Sequence, residues 1–127
     1  MQDKLLSFFH SYKQAFDAFD HKAISLHYML PCATSDYDGA LVFNDMVELQ
    51  NKFLQNCQNM QNIGYSGSDL KIESIQLLGS KTASIDIKWS VILEKESYEF
   101  GGLYVCFYQQ DRWKIFSASV YAVSQNI

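Results

Sequence analysis

The chain reads as an α+β protein, with helices in its N-terminal half and a mostly antiparallel sheet after them. Two observations carry this reading. In three segments before Gly64 the apolar residues return every three or four positions, and from about Asp69 onward they return every second position. Length agrees: 127 residues with 48% hydrophobic and 15% aromatic content can bury one core but not two ordinary ones, so one domain over residues 1–127 is expected.

The first helix is expected from about Asp3 to Phe19. Leu5, Phe8, Phe9, Tyr12, Phe16 and Phe19 form its apolar stripe, while Lys4, Lys13, Gln14 and Asp17 fall off it. Asp20 can cap a second, shorter helix carrying Ala23, Ile24, His27 and Tyr28. Pro31 disfavours helical geometry just before it, so this helix should end near Met29. Asp38–Gly39 signals a tight hairpin between short apolar pieces. Asn44 or Asp45 then caps a third helix with Met46, Leu49, Phe53, Cys57 and Met60 on one face, and Gly64 offers its stop.

Four strands follow: LKIESIQLL, TASIDIKWSVILE, YEFGGLYVCFYQ and RWKIFSASVYAV. In the second, Ala83, Ile85, Ile87, Trp89 and Val91 alternate with Ser84, Asp86, Lys88 and Ser90, so one of its faces is wet. The third is apolar on both parities, with Leu103, Val105 and Phe107 on one and Tyr104, Cys106 and Tyr108 on the other. An apolar outer face needs a cover, and a second copy of the chain supplies one by symmetry; a homodimer through the outer face of the last strands is therefore expected. The final strand is also apolar on both parities, and a bulge decides whether Phe116 or Ser117 faces inward.

The net charge of −4 is spread along the chain without a Lys/Arg cluster, which argues against nucleic acid as a partner. Apolar runs stop at four or five residues, so no membrane span is expected and the protein should be soluble and cytoplasmic. Cys32, Cys57 and Cys106 are odd in number and far apart, which suits reduced, buried thiols. Neither a Gly-rich phosphate loop nor a metal-ligand cluster is present, so no cofactor is expected.

The run of helices and then long antiparallel strands resembles the nuclear transport factor 2-like superfamily, including its SnoaL-like and steroid-isomerase-like branch. The likeness spans nearly the whole chain, from FFHSYKQAFDAFD through YMLPC and LVFNDMVELQNKF to LLGSKTASIDIKW and DRWKI. It implies a cone: three helices packed in the concave face of a curled sheet, with a pocket open at one end. It also implies several functions, because the superfamily holds isomerases, cyclases and dehydratases beside non-catalytic transport and assembly domains.

Aligned from the first helix, Tyr12 stands where the isomerase branch has its oxyanion-donating tyrosine, and Asp36 where it has its catalytic base. The position of the second donor falls on Leu103, which cannot donate a hydrogen bond. Such a base needs a water-poor cavity to raise its pKa, and the enolate it makes needs preorganised donors. His27 is a candidate proton relay to Asp36. The pocket wall is expected to hold Tyr12, Phe16, Tyr28, Trp89, Leu103, Val105, Phe107 and Trp113. Read without chemistry, Tyr12 is a core tyrosine with one hydrogen bond, and Asp36 is a turn aspartate bound to nearby amides. The expectation is a pocket for a small apolar or carbonyl-bearing ligand, with an acid-base enzyme and a protein-interaction module as alternatives.

Overall fold

The stripe of Leu5, Phe9 and Tyr12 folds as expected into helix α1, Gln2–Asp17, with those residues buried. A computed structural model describes residues 2–123. Asp20 caps α2, His21–Leu26, its side chain accepting the Ala23 amide at 3.0 Å. Asp45 caps α3, Met46–Asn62, by accepting the Glu48 amide at 2.8 Å, which satisfies one of the unpaired donors of a helix start. Past its end, Gly64 adopts φ +84, a conformation that favours glycine.

Among the described residues, six strands make one sheet. The hairpin strands β1, Tyr28–Asp36, and β2, Gly39–Phe43, precede α3; β3, Tyr65–Leu78, β4, Thr82–Leu93, β5, Ser97–Gln109, and β6, Arg112–Ala122, follow it. Their order is β2-β1-β6-β5-β4-β3, with β1 and β6 parallel and every other pair antiparallel. The three helices pack with this open mixed sheet, and the core between them is aromatic and aliphatic, from Phe9 and Ile24 to Phe53, Ile85 and Ile115.

The second helix is shorter than its sequence suggested. It stops at Leu26, and Tyr28 already belongs to β1, opposite Ile115, whose amide donates to the His27 carbonyl at 2.9 Å. Pairing with β6 outweighs one more helical turn, so Pro31 lies within a strand and does not mark a helix end. The hairpin turn is also one residue earlier. Asp36 pairs with Gly39, leaving Tyr37 and Asp38 as the two loop residues.

In β4 the expected alternation holds through five buried residues, Ala83 to Val91. Antiparallel partners share a face, so this strand orients its neighbour: Tyr104 opposite Ile85 points in, and Leu103 opposite Asp86 points out. At β6 a bulge falls on Phe116, between the Cys106–Ile115 and Val105–Ser117 pairs. Ile115 and Ala118 both face the core in consequence, and Phe116 packs on Phe107 outside, ring centroids 5.8 Å apart.

Candidate functional site

Between the helices and the inner face of the sheet lies a cavity of about 500 Å3. Its wall is mainly apolar, built from Phe16 of α1, Phe53 and Met60 of α3, Trp89 and Val91 of β4 and Phe100 of β5. Volume and lining fall in the range of pockets that take a small organic molecule.

The cavity contains a set of hydrogen-bonding aromatics. Tyr12 is held by the helical spacing of α1 against the ring of Phe16, centroids 5.1 Å apart, and its hydroxyl lies 2.6 Å from that of Tyr28. Trp89 Nε1 donates to the Tyr104 hydroxyl at 2.9 Å. Burial and the neighbouring phenols hold Tyr12 and Tyr28 well above the ordinary tyrosine range, and burial raises Tyr104 too. All three are therefore neutral donors at any physiological pH. A pair of hydroxyls shares one proton, so the Tyr12–Tyr28 pair keeps one O–H to give, and Tyr104, accepting from Trp89, has no acceptor for its own among the described residues. Gly102 makes room for Tyr104: a Cβ there would stand 2.6 Å from the Tyr104 hydroxyl.

The hairpin side of the lining is polar, with Thr34, Ser35 and Asp36 from β1 and Lys52 and Asn56 from α3. Asp36 is exposed, and its Oδ1 accepts the Asp38 amide at 2.8 Å, the local bond of a turn aspartate. Burial pushes the Lys52 ammonium down, opposed by the charge of Asp36 and by Cys32. At the β3 edge, Tyr65 and Ser68 of the lining turn their hydroxyls to Asp17 Oδ1 at 2.5 and 2.7 Å, while Lys13 pairs with Oδ2 at 2.7 Å. Burial works against the Asp17 charge, but these hydrogen bonds overcome it and hold the carboxyl below its ordinary value.

Of the residues expected at the site, Tyr12, Phe16, Tyr28, Trp89 and Asp36 line one cavity. Leu103, Val105 and Phe107 do not, because the register with β4 turns them to the outer face, opposite Asp86, Ser84 and Thr82. Tyr104, one residue on, supplies the inward hydroxyl that Leu103 lacks. Trp113 is buried at a different place, beside Tyr108 with centroids 5.3 Å apart, and is not part of this lining.

His27 also lies outside the lining, and both its ring nitrogens are engaged. Nδ1 is 2.7 Å from the Ala23 carbonyl and Nε2 3.0 Å from Ser11 Oγ, so Nδ1 donates and the ring ties α2 to α1. Burial lowers its pKa, favouring that neutral form. All three cysteines are free and buried, and burial raises the thiols of Cys32 and Cys57 and pushes that of Cys106 up to about 12. No group of three or more His, Cys, Asp or Glu that could hold a metal occurs among the described residues. Nor is any described helix long and apolar enough to cross a membrane.

Among the residues that sequence reasoning missed are Tyr104, Lys52, the Asp17–Tyr65–Ser68 cluster and the apolar wall residues Phe53, Met60, Val91 and Phe100. For Tyr104 the wet parity of β4 is informative once the hairpin register is known, since Tyr104 pairs with inward Ile85.

The family described as "NTF2-like protein (DUF6841)" matches residues 3–123. No curated protein sequence matches the chain significantly. An NTF-2 like protein of unknown function from Shewanella oneidensis MR-1 superposes with a TM-score of 0.78 at 16% identity, over 94% of this chain and 97% of that one. A domain of unknown function with a cystatin-like fold from Nostoc punctiforme PCC 73102 gives 0.80 at 13% identity, covering 98% and 78%. A ketosteroid isomerase-like protein from Erwinia carotovora atroseptica SCRI1043 gives 0.76 at 12% identity, covering 97% and 96%. At these identities the likeness is one of fold.

Proposed function

The chain belongs to the NTF2-like protein family, and we propose that within it this protein binds a small, largely apolar molecule whose carbonyl oxygen is held by the buried phenols. The observation that supports this is the pair of unspent O–H protons, one on Tyr12–Tyr28 and one on Tyr104, facing an apolar cavity. A buried donor without an acceptor is costly, and a ligand carbonyl supplies the acceptor. Trp89 sharpens the site, since accepting its N–H makes the Tyr104 hydroxyl a better donor.

The test is a thermal-shift screen against small cyclic and aryl ketones. A ligand that binds only the folded state adds about 2.7 kcal/mol at a hundred times its Kd. Tyr104→Phe and the double variant Tyr12→Phe/Tyr28→Phe should each weaken a hit about tenfold without unfolding the protein, in keeping with one lost hydrogen bond of about 1 kcal/mol or more. Absence of any hit, or hits indifferent to both variants, overturns the reading.

An acid-base enzyme of the isomerase, cyclase or dehydratase kind is the second reading. It is favoured by Asp36 and Tyr12 lining the same cavity, and opposed by the exposure of Asp36 and its local hydrogen bond. It requires Asp36→Asn to abolish turnover of a bound ketone with the fold intact; unchanged turnover rejects it. The homodimer belongs to the proposal as well. Leu103, Phe116 and Tyr121 are 43%, 39% and 39% exposed on the outer face, and sedimentation as a monomer at micromolar concentration rejects their burial by a second copy.

A further inference from the structure

Among the described residues, Lys52 is the one cation that lines the cavity. It projects from α3 with its Nζ 4.8 Å from the centroid of the Phe53 ring, so the ammonium itself sits against an apolar wall of the cavity. No hydrogen bond or ion pair takes up that ammonium among the described residues; the lysines that are paired with carboxylates are Lys13 and Lys88. Asp36 lines the same cavity, yet it is turned to the amide of Asp38. Asn56 follows Lys52 by one helical turn and lines the cavity beside it, with Thr34 and Ser35 of β1 also in the lining.

We propose that the ligand carries a carboxylate head, bound by Lys52 and Asn56 at the cavity mouth, with its apolar body and carbonyl directed inward to the phenols. The inference rests on the pocket reading above and names the ligand class it would take: an amphipathic keto acid with an apolar body. An ammonium set on an apolar wall has lost part of its hydration, and a carboxylate restores that loss through a charge-assisted hydrogen bond. Burial pushes the Lys52 ammonium down and the charge of Asp36 offsets this in part; a ligand carboxylate would offset it further. Asp36 and Asp38 are the acids of the same lining. Both are exposed, so solvent and salt screen their repulsion.

The experiment uses matched probes that differ only in head charge: 3-benzoylpropionate, 4-benzoylbutyrate and 5-benzoylpentanoate, each against its neutral primary amide. Affinities are measured by titration calorimetry at fixed ionic strength on the wild type, Lys52→Met, Lys52→Gln and Lys52→Arg. The wild type should bind the best-fitting carboxylate about tenfold or more tighter than its amide, the range of a hydrogen bond to a charged group. Lys52→Met and Lys52→Gln should abolish the acid's preference over its amide, and Lys52→Arg should keep most of it. Equal binding of acid and amide by the wild type overturns the head-group assignment and leaves the pocket reading standing. A preference that survives both Lys52→Met and Lys52→Gln overturns the role of Lys52. Binding of neither member of any pair overturns both readings together.

Discussion

Asp17 and Asp36 stand near opposite edges of the same sheet, one against β3 and one at the end of β1, and they have become different kinds of residue. Asp36 took the nearest donor in sequence, the amide two residues on, and remained in solvent. Asp17 collected Tyr65, Ser68 and Lys13, the first two lying 48 and 51 positions away, and its charge is stabilised there although partly buried. A carboxylate's role is thus decided by the donors that packing brings to it, more than by the pattern around it in sequence. At the β3 edge those donors also tie α1 to the sheet, which shapes that side of the cavity, whereas the hairpin edge is held mainly by its own backbone pairing.

The widest separation between the two edges should appear on truncation. Asp17→Ala removes one acceptor from three donors and should destabilise the protein by about 2 to 3 kcal/mol in urea unfolding, as expected for hydrogen bonds to a charged group. An effect no larger than that of Asp36→Ala would break the comparison. Acid sharpens it. The folded pKa of Asp17 lies below its ordinary 3.8, so the unfolded chain takes up its proton first as pH falls. The stability that Asp17 contributes is therefore fully present above about pH 5 and is lost as pH falls through the lowered folded value. The stability gap between wild type and Asp17→Asn should narrow over that window, and a gap constant down to pH 2 would contradict the assignment.

Smaller effects follow. Tyr65→Phe deletes one donor to Asp17 and should cost about 1 kcal/mol; in a double-mutant cycle with Asp17→Ala most of that cost should vanish, since both changes break the same bond. Additive losses would mean that Tyr65 acts through packing. At the hairpin edge, Asp36→Ala should change stability by no more than about 0.5 kcal/mol, as for an exposed side chain without a tertiary hydrogen bond or ion pair. A loss above 1 kcal/mol there would give Asp36 a structural role that its exposure does not predict.

Much of the fold was legible without coordinates because it depends on local rules. The stripe from Leu5 to Phe16, the caps at Asp20 and Asp45 and the alternation from Ala83 to Val91 each state an element in its own residues, and the structure has all of them. The placements that went astray share a different cause. Tyr28 could extend a helix or start a strand, and only Ile115, far along the chain, decides. Leu103 and Tyr104 both suit an inner face, and only the register with β4 separates them. The cavity could be anticipated from Tyr12, Phe16 and Trp89; its cation and its carboxylate cluster could not, because a lysine on α3 looks like any surface lysine until the sheet faces it.

The sequence by itself determined the bodies of the three helices and the alternation of the long strands after Asp69, that one aromatic core forms, and that Tyr12 would stand on the stripe facing it, because periodicity and capping act within a few residues. Tertiary structure decided which face of β5 looks inward, that Tyr104 joins Tyr12 and Tyr28 in the cavity, that Asp17 and not Asp36 gathers distant partners, and that Lys52 lines the cavity. Each of these depends on strand register and on contacts between residues far apart in the chain, and no local pattern encodes a register that is selected only when the whole core packs.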